Sequence, residues 1–252
     1  MRFAIIGGTG FYEAGGPDTE SVQLSTAYGE VEVDIFRAGN EEVAFLTRHG
    51  KKHGIAPHLI NYRANIAALK SLGVENILAS ATVGSLNPRI IPGKFALPTQ
   101  FLDFTHGRAA TFFDQEVVKH VDVTEPYCPS LRPALIELAM EGNIVLHPGA
   151  TYVCTQGPRF ETPAEIEMFR RLGGDLAGMT GVPEVVLARE ANICYATVAL
   201  VTNWAAGMAG KSISHVECSE FGKEHIPIMR ELFLKLIAAY PKNDCACRHA
   251  IR

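Results

Sequence analysis

"RFAIIGGTGFYEAGG", residues Arg2 to Gly16, decides how this chain is to be read. Phe3, Ala4, Ile5 and Ile6 run straight into Gly7, Gly8, Thr9 and Gly10. An unbroken apolar run that stops on glycines predicts a strand buried on both faces and a tight turn, the usual opening of an α/β fold. Exposed N–H groups in such a turn, with the Thr9 hydroxyl at its tip, suit a phosphate. A dinucleotide site asks for more: a third glycine, a crossover helix and a second strand ending on an acidic residue. Here Phe11, Tyr12 and Glu13 follow the turn, and the third glycine is missing. The next segment, "YGEVEVDIFRAGNEEVAFLTRHG" (28–50), alternates Val31, Val33 and Ile35 with Glu32, Asp34 and Phe36, then turns at Gly39-Asn40. That is a β-hairpin rather than a crossover helix. A site for a single phosphate and a plain tight turn are the two readings left.

The hairpin ends at Arg48-His49-Gly50, and Lys51, Lys52, His53 and His58 follow. Arginine grips phosphate oxygens with two parallel N–H groups, and a neighbouring histidine donates or carries a proton. A solvated basic loop is the alternative.

Beyond the hairpin, helices and strands alternate. "NYRANIAALKSLG" places Ile66, Ala67, Leu69 and Leu72 at helical spacing and stops at Gly73. "VENILASATVGSLN" is a buried strand broken at Gly84, with Ser80, Ala81 and Thr82 near its carboxyl end. Small residues there leave room for a ligand, which in open α/β sheets sits outside the carboxyl ends of strands. "KFALPTQFLDFT" is a strand, "CPSLRPALIELAMEG" a helix, and "GATYVCTQGPRFET" a strand and loop. With no repeat and no linker, residues 1–252 form one domain.

Composition narrows the function. The 252 residues are 47% hydrophobic and 20% charged, which suits a globular core. A net charge of −4 offers no general attraction to nucleic acid. No apolar run reaches membrane-spanning length, and the short apolar start, cut by Gly7-Gly8, is not a signal peptide. A cytoplasmic location is expected. Six cysteines stand at 128, 154, 194, 218, 245 and 247 with no CxxC pair, so buried free thiols are expected rather than a structural metal site. Cys245-Ala246-Cys247 is the one pattern that suggests a redox pair.

Two later stretches carry the most chemistry. In "GPRFETPAEIEMFRRLGG" (157–174), Thr162, Pro163 and Glu165 make a helix start with a capping box. Glu161 lies just outside that N-terminus, where the helix dipole favours a carboxylate. The other reading is that Phe160 stacks on a flat ligand while Glu161 accepts hydrogen bonds from its edge. In the segment from Leu176 to Gly207, a short strand ends at Met179-Thr180-Gly181 and a helix begins beside Pro183. Thr180 and the nearby N–H groups then form a second anion cradle. A core strand from Ile193 to Val201 delivers Thr202 and Asn203 at its carboxyl end. The Asn203 amide, with donor and acceptor in one plane, suits a purine edge.

Taken together, "IIGGTG", "RHG", "GSLNP", "EPYCP", "GPRFET", "GMTGVPEVVLARE" and "VTN" give the chain its family. It resembles the trimeric nucleoside phosphorylases over nearly its whole length. The resemblance implies a single α/β domain with a mixed, partly closed β-sheet flanked by helices. The implied reaction is phosphorolysis of an N-glycosidic bond, with inorganic phosphate as co-substrate and no cofactor or metal. Phosphate would be held by Thr9, Arg48, His49, Ala81, Thr82 and Thr180. Ala81 stands where the family usually has a polar residue, so that contact would be backbone-only or lost. The base would lie against Phe160, Glu161, Asn203 and Ala205, and the ribose against Met179. His120 of the neighbouring subunit would reach the ribose side, which implies a homotrimer or a dimer of trimers.

Glu161 and Asn203 are the combination found in the 6-oxopurine members of that family. Glu161 would accept N1–H of hypoxanthine or guanine, whereas adenine N1 has no hydrogen to offer. Ser214 and Glu217 read as a capping box that puts His215 in the first turn of the last helix. The resemblance gives a histidine there to a 5′-hydroxyl. Inosine or guanosine is the expected substrate. The alternatives are methylthioinosine, methylthioadenosine, a nucleosidase that uses water, and a purine binder without catalysis.

Overall fold

The computed structural model describes residues 1–13, 15–115, 117–210, 215–241 and 245–251, with the side chains of 215–219 set aside. Among the described residues, nine strands and five α-helices follow in chain order. The strands are β1 (Phe3–Gly7), β2 (Glu20–Thr26), β3 (Gly29–Ala38), β4 (Glu41–Thr47), β5 (Asn76–Ser85), β6 (Phe95–Phe104), β7 (Leu146–Thr155), β8 (Leu176–Gly178) and β9 (Cys194–Trp204). The helices are α1 (Tyr62–Ser71), α2 (Leu131–Glu141), α3 (Pro163–Arg171), α4 (Gly181–Glu190) and α5 (His215–Ala239).

The sheet runs β2-β3-β4-β1-β5-β8-β7-β6-β9, and β9 returns to pair with β5. Strands β5, β8, β7, β6 and β9 therefore close a circuit, and β1, β4, β3 and β2 extend from it as a wing. Closure leaves the circuit itself without a free edge, while β2 is the open edge of the wing. Strand β1 lies parallel to both β4 and β5, and β5 lies parallel to β9. The carboxyl ends of these four strands consequently point the same way, and the loops that leave them gather at one end of the sheet.

Alternation along β1 divides the core. Ala4 and Ile6 join the cluster under α1 and α4, with Ile66, Leu69, Val185 and Leu187. Phe3 and Ile5 join the cluster under α2 and α5, with Leu131, Leu135, Phe233 and Leu236. A strand covered on both faces must be apolar at every position, which is why the opening run is unbroken. The hairpin forms as expected: β3 and β4 pair antiparallel out to Ala38 and Glu41, with Gly39 at a φ of +62°. Val31 and Val33 face the first cluster, while Phe36 is buried in the second, because α5 covers that end of the other face. The sequence reading missed β2. Its period is short and shallow: Val22 and Leu24 alternate with polar residues and pack on the first cluster, but neither is fully buried.

Helix α1 starts at Asn61, whose side chain accepts from the Ala64 N–H, and it stops before Gly73 at a φ of +74°. Helix α3 carries the expected capping box: Thr162 Oγ1 accepts from Glu165 N, and Glu165 Oε2 accepts from Thr162 N. Strand β9 runs three residues further than expected, to Trp204, so Thr202 and Asn203 belong to its last turn of pleat. No helix among the described residues is long and apolar enough to cross a membrane.

The five described cysteines are buried free thiols. Four of them are not scattered in space as they are in sequence. Cys128, Cys194, Cys245 and Cys247 come together, each sulfur within 4.8 Å of every other. Sequence spacing hid this, because the four arrive from three distant segments.

Candidate functional site

A cavity of about 370 Å³ opens at the carboxyl ends of β1, β4, β5 and β9. Thr9, Arg48, His49, Ala81, Thr82, Phe160, Glu161, Met179, Thr180, Asn203 and Ala205 all line it. Of the described residues that the resemblance assigns to the site, one does not. His120 is exposed and outside the lining. The side chain of His215, with the expected capping box of Ser214 and Glu217, lies outside the described residues.

The glycine turn is fastened to β5. Gly8 N donates to Ser80 Oγ at 2.7 Å, and Phe11 N closes the turn onto Gly8 O. A Cβ on Gly8 would stand 2.9 Å from Arg48 Nη1 and 3.0 Å from Ser80 O, so only glycine lets the turn sit this close to the arginine. Ser80 was read only as a small residue. It is a buried anchor whose carbonyl also accepts from Arg48 Nη1 at 2.9 Å.

Arg48 departs from expectation. Its Nε and Nη2 donate to the two oxygens of Glu184 at 2.6 and 2.7 Å, and both side chains are buried. The two-pronged grip assigned to phosphate is thus taken by a carboxylate inside the protein. What the guanidinium offers the cavity is charge and its remaining Nη hydrogens. Burial alone would depress Arg48, but the contact with Glu184 outweighs it and holds the guanidinium charged, above its ordinary value. Tyr195 Oη donates to Glu184 Oε1 at 2.6 Å, so the carboxylate has three donors. Glu184 was not foreseen. In the first turn of a helix, a glutamate reads as an ordinary dipole partner.

His49 Nδ1 donates to the Ile55 carbonyl at 2.8 Å, so any ligand contact falls to Nε2. The His53 ring packs beside it, with centroids 4.5 Å apart, and His53 also lines the cavity. Lys51 turns away and binds Glu32 and Asp34 on the wing, each at 2.8 Å, as the solvated reading of the basic loop holds.

The anion cradle expected at the start of α4 also needs correcting. Thr180 N donates to Tyr152 Oη, and Val182 N donates to Cys154 Sγ. Val182 itself is extended, at φ −119° and ψ 133°, so the first turn is not helical there. These N–H groups are spent on the β7 side chains. Thr180 is still buried at the cavity wall, and its side chain makes no capping bond to the helix.

Toward the other end, Glu161 Oε1 accepts from Thr155 Oγ1 at 2.6 Å, which fixes the carboxylate at the end of β7. Asn203 Oδ1 accepts from Thr202 Oγ1 at 2.9 Å, and Asn203 Nδ2 donates to Trp204 O at 2.8 Å. Both polar atoms of the amide are thus oriented by local bonds. Strand β5 gives the site its axis. Arg48 meets it at Ser80, and Asn203 lies beside it at Gly84. Four residues of strand span about 13 Å. The register of β5 against β9 shifts between Val83 and Gly84, which brings Asn203 opposite Gly84.

Known proteins agree with this architecture. The chain is 50% identical to the 6-oxopurine nucleoside phosphorylase of Pyrococcus furiosus, over 100% of this chain and 98% of that one. It is 51% identical to a probable S-methyl-5'-thioinosine phosphorylase of Methanopyrus kandleri, over 98% of this chain and 96% of that one. Methylthioadenosine phosphorylase from Schistosoma mansoni, solved in complex with adenine, superposes with a TM-score of 0.92 at 32% identity, over 97% of this chain and 93% of that one. Residues 2–240 match the Phosphorylase superfamily. The chain belongs to the phosphorylase superfamily, among its nucleoside phosphorylases.

Proposed function

We propose that the chain cleaves 6-oxopurine nucleosides, inosine and guanosine, with inorganic phosphate, releasing the free base and ribose 1-phosphate. The observation that carries this reading is that Glu161 and Asn203 share one cavity with Thr9, Arg48 and His49, with about 13 Å of β5 between the Arg48 and Asn203 ends. That span suits a phosphate at one end, a purine at the other, and the sugar between them against Met179. Relatives named as 6-oxopurine nucleoside phosphorylases support the same base class.

The chemistry follows from charge. Cleavage builds positive charge on the sugar and negative charge on the departing purine. A phosphate dianion, held by the Arg48 charge, His49 and the Thr9 and Thr180 hydroxyls, stabilises the first as it attacks C1′. Asn203 at N7 and O6, and Glu161 at N1–H, stabilise the second, with bonds that strengthen as the charge arrives. Direct attack by phosphate inverts C1′. Adenine would set the lone pair of N1 against the Glu161 carboxylate, a mismatch of the kind that costs ~10⁴-fold in a site built to hydrogen-bond.

For the 5′ group, the reading is a hydroxyl met by His215. Methylthioinosine is the second reading, favoured by Ile55, Pro57 and Met179 in the cavity lining and by the Methanopyrus relative. The active form is a homotrimer, in which His120 of the neighbouring subunit reaches the ribose. Its place on an exposed segment beside the apolar Val117 and Val118 supports this. A cytoplasmic, purine-salvage setting goes with that reading.

One panel tests the proposal: inosine, guanosine, 5′-deoxyinosine and methylthioinosine, each with and without phosphate, read by base release. Hypoxanthine release that requires phosphate, with inosine ahead of both 5′-modified nucleosides, is expected. Release without phosphate makes the protein a nucleosidase, and binding with no release makes it a purine binder. Methylthioinosine ahead of inosine replaces the 5′-hydroxyl reading. The sedimentation of the active species gives the subunit number.

A further inference from the structure

We propose that Cys128, Cys194, Cys245 and Cys247 form a tetrathiolate site for one zinc-class metal ion, remote from the reaction. Cys128 precedes α2, Cys194 begins β9, and Cys245 and Cys247 flank the start of the short helical turn Ala246–His249 that follows α5. All four are buried, and every pair of sulfurs lies within 4.8 Å. Cys128 and Cys245 stand 3.6 Å apart. A tetrahedral ion with metal–sulfur bonds of about 2.3 Å sets its four sulfurs about 3.8 Å from one another, so little movement is needed to close on it.

The surroundings suit thiolates. Leu131 N donates to Cys128 Sγ at 3.4 Å, and Ser130 Oγ donates to Cys245 Sγ at 3.5 Å. Four thiolates around a dication carry a net charge of minus two. Two arginines lie close by: Arg248, which also donates to Glu75 at 2.9 Å, lies against Cys194, and Arg189 lies within electrostatic reach of Cys247. Arg189 Nε is buried with no hydrogen-bond partner among the described residues. Loading the site displaces the four thiol protons to solvent as four metal–sulfur bonds form, with no change of oxidation state.

The position assigns the role. Cys194 and Asn203 lie nine residues apart on β9, about 30 Å of strand, so the ion takes no part in catalysis. It would clasp the segment after α5 to the closed sheet, beside the bridge between Val121 and Ile251.

The test uses the full chain, produced with zinc in the medium and purified without chelator. Elemental analysis is expected to find one zinc per chain. Replacement by Co²⁺ is expected to give the visible bands of tetrahedral cobalt with four thiolates. Denaturation with a chelator is expected to free all six thiols of the chain. Cys245→Ser and Cys194→Ser are expected to lose the metal, and Cys154→Ser, outside the cluster, to keep it. If the serine variants fail to fold, the cobalt spectrum of the wild type still decides. Zinc only at trace level without tetrathiolate cobalt bands overturns the proposal. So does an intact mass lighter by the four hydrogens of two disulfides among these cysteines.

Discussion

Arg48 and Glu184 face each other as a buried two-pronged ion pair, the arginine from the end of β4 and the glutamate from the first turn of α4. The pair determines what Arg48 can do. Its fork is spent on holding the guanidinium in place, so what it presents to the cavity is an oriented charge.

Removing one partner should therefore be costly. Glu184→Ala leaves an unpaired buried cation and is expected to lower unfolding free energy by about 3–5 kcal/mol in urea denaturation. Replacing both Arg48 and Glu184 by methionine should cost less than the two single changes together, with a coupling of about 0.5–3 kcal/mol. Additive losses would mean that the pair is not coupled.

Thr9 offers a test of the phosphate end without that penalty. Thr9→Ala removes a hydroxyl that lines the cavity. A hydrogen bond to a charged group is worth about 1.5–3 kcal/mol, so the KM for phosphate should rise about tenfold or more while that for inosine changes little. Equal rises in both constants would make Thr9 a structural residue.

Thr155 donates to Glu161 and was not foreseen as part of the site. Thr155→Val keeps the shape and releases the carboxylate. The kcat/KM for inosine should fall about tenfold, with the phosphate KM and the melting temperature nearly unchanged. A fall in stability alone would reduce Thr155 to packing.

Where the sequence could be read, a local cause was visible. The unbroken run Phe3–Ile6, the Gly39 turn and the Thr162–Glu165 box each depend on neighbours within a few residues, and each appears in the structure. Glu161 and Asn203 could be placed at element ends for the same reason, and both line the cavity. The misses are long-range. Nothing near Arg48 shows that Glu184, from another element, takes its fork. Nothing near Gly181 shows that Tyr152 and Cys154 take up the Thr180 and Val182 N–H groups. Strand β2 shows only two alternating apolar residues, Val22 and Leu24, both half-buried, and the four-cysteine cluster is drawn from three segments.

Acid should expose a smaller contribution. Contacts with Arg159 and the Thr162 N–H hold the Glu165 carboxyl down at about 2, against an ordinary value of 4.5. A carboxylate depressed on folding stabilises above its unfolded value and loses that contribution as pH falls through its folded one. Glu165→Gln should be less stable than wild type at pH 7, and the two should converge between pH 4.5 and 2. A difference that persists below pH 2 would assign the effect to something other than this charge.

Whether Glu161 and Asn203 select the base is decided by the ratio of kcat/KM for inosine to that for adenosine at saturating phosphate. A ratio on the order of 10⁴ is expected for the wild type. A partial fall is expected in Asn203→Asp, which can accept the 6-amino hydrogen, and a further fall when Glu161→Ser is added. A wild-type ratio near one, or a ratio untouched by both changes, would contradict that selection.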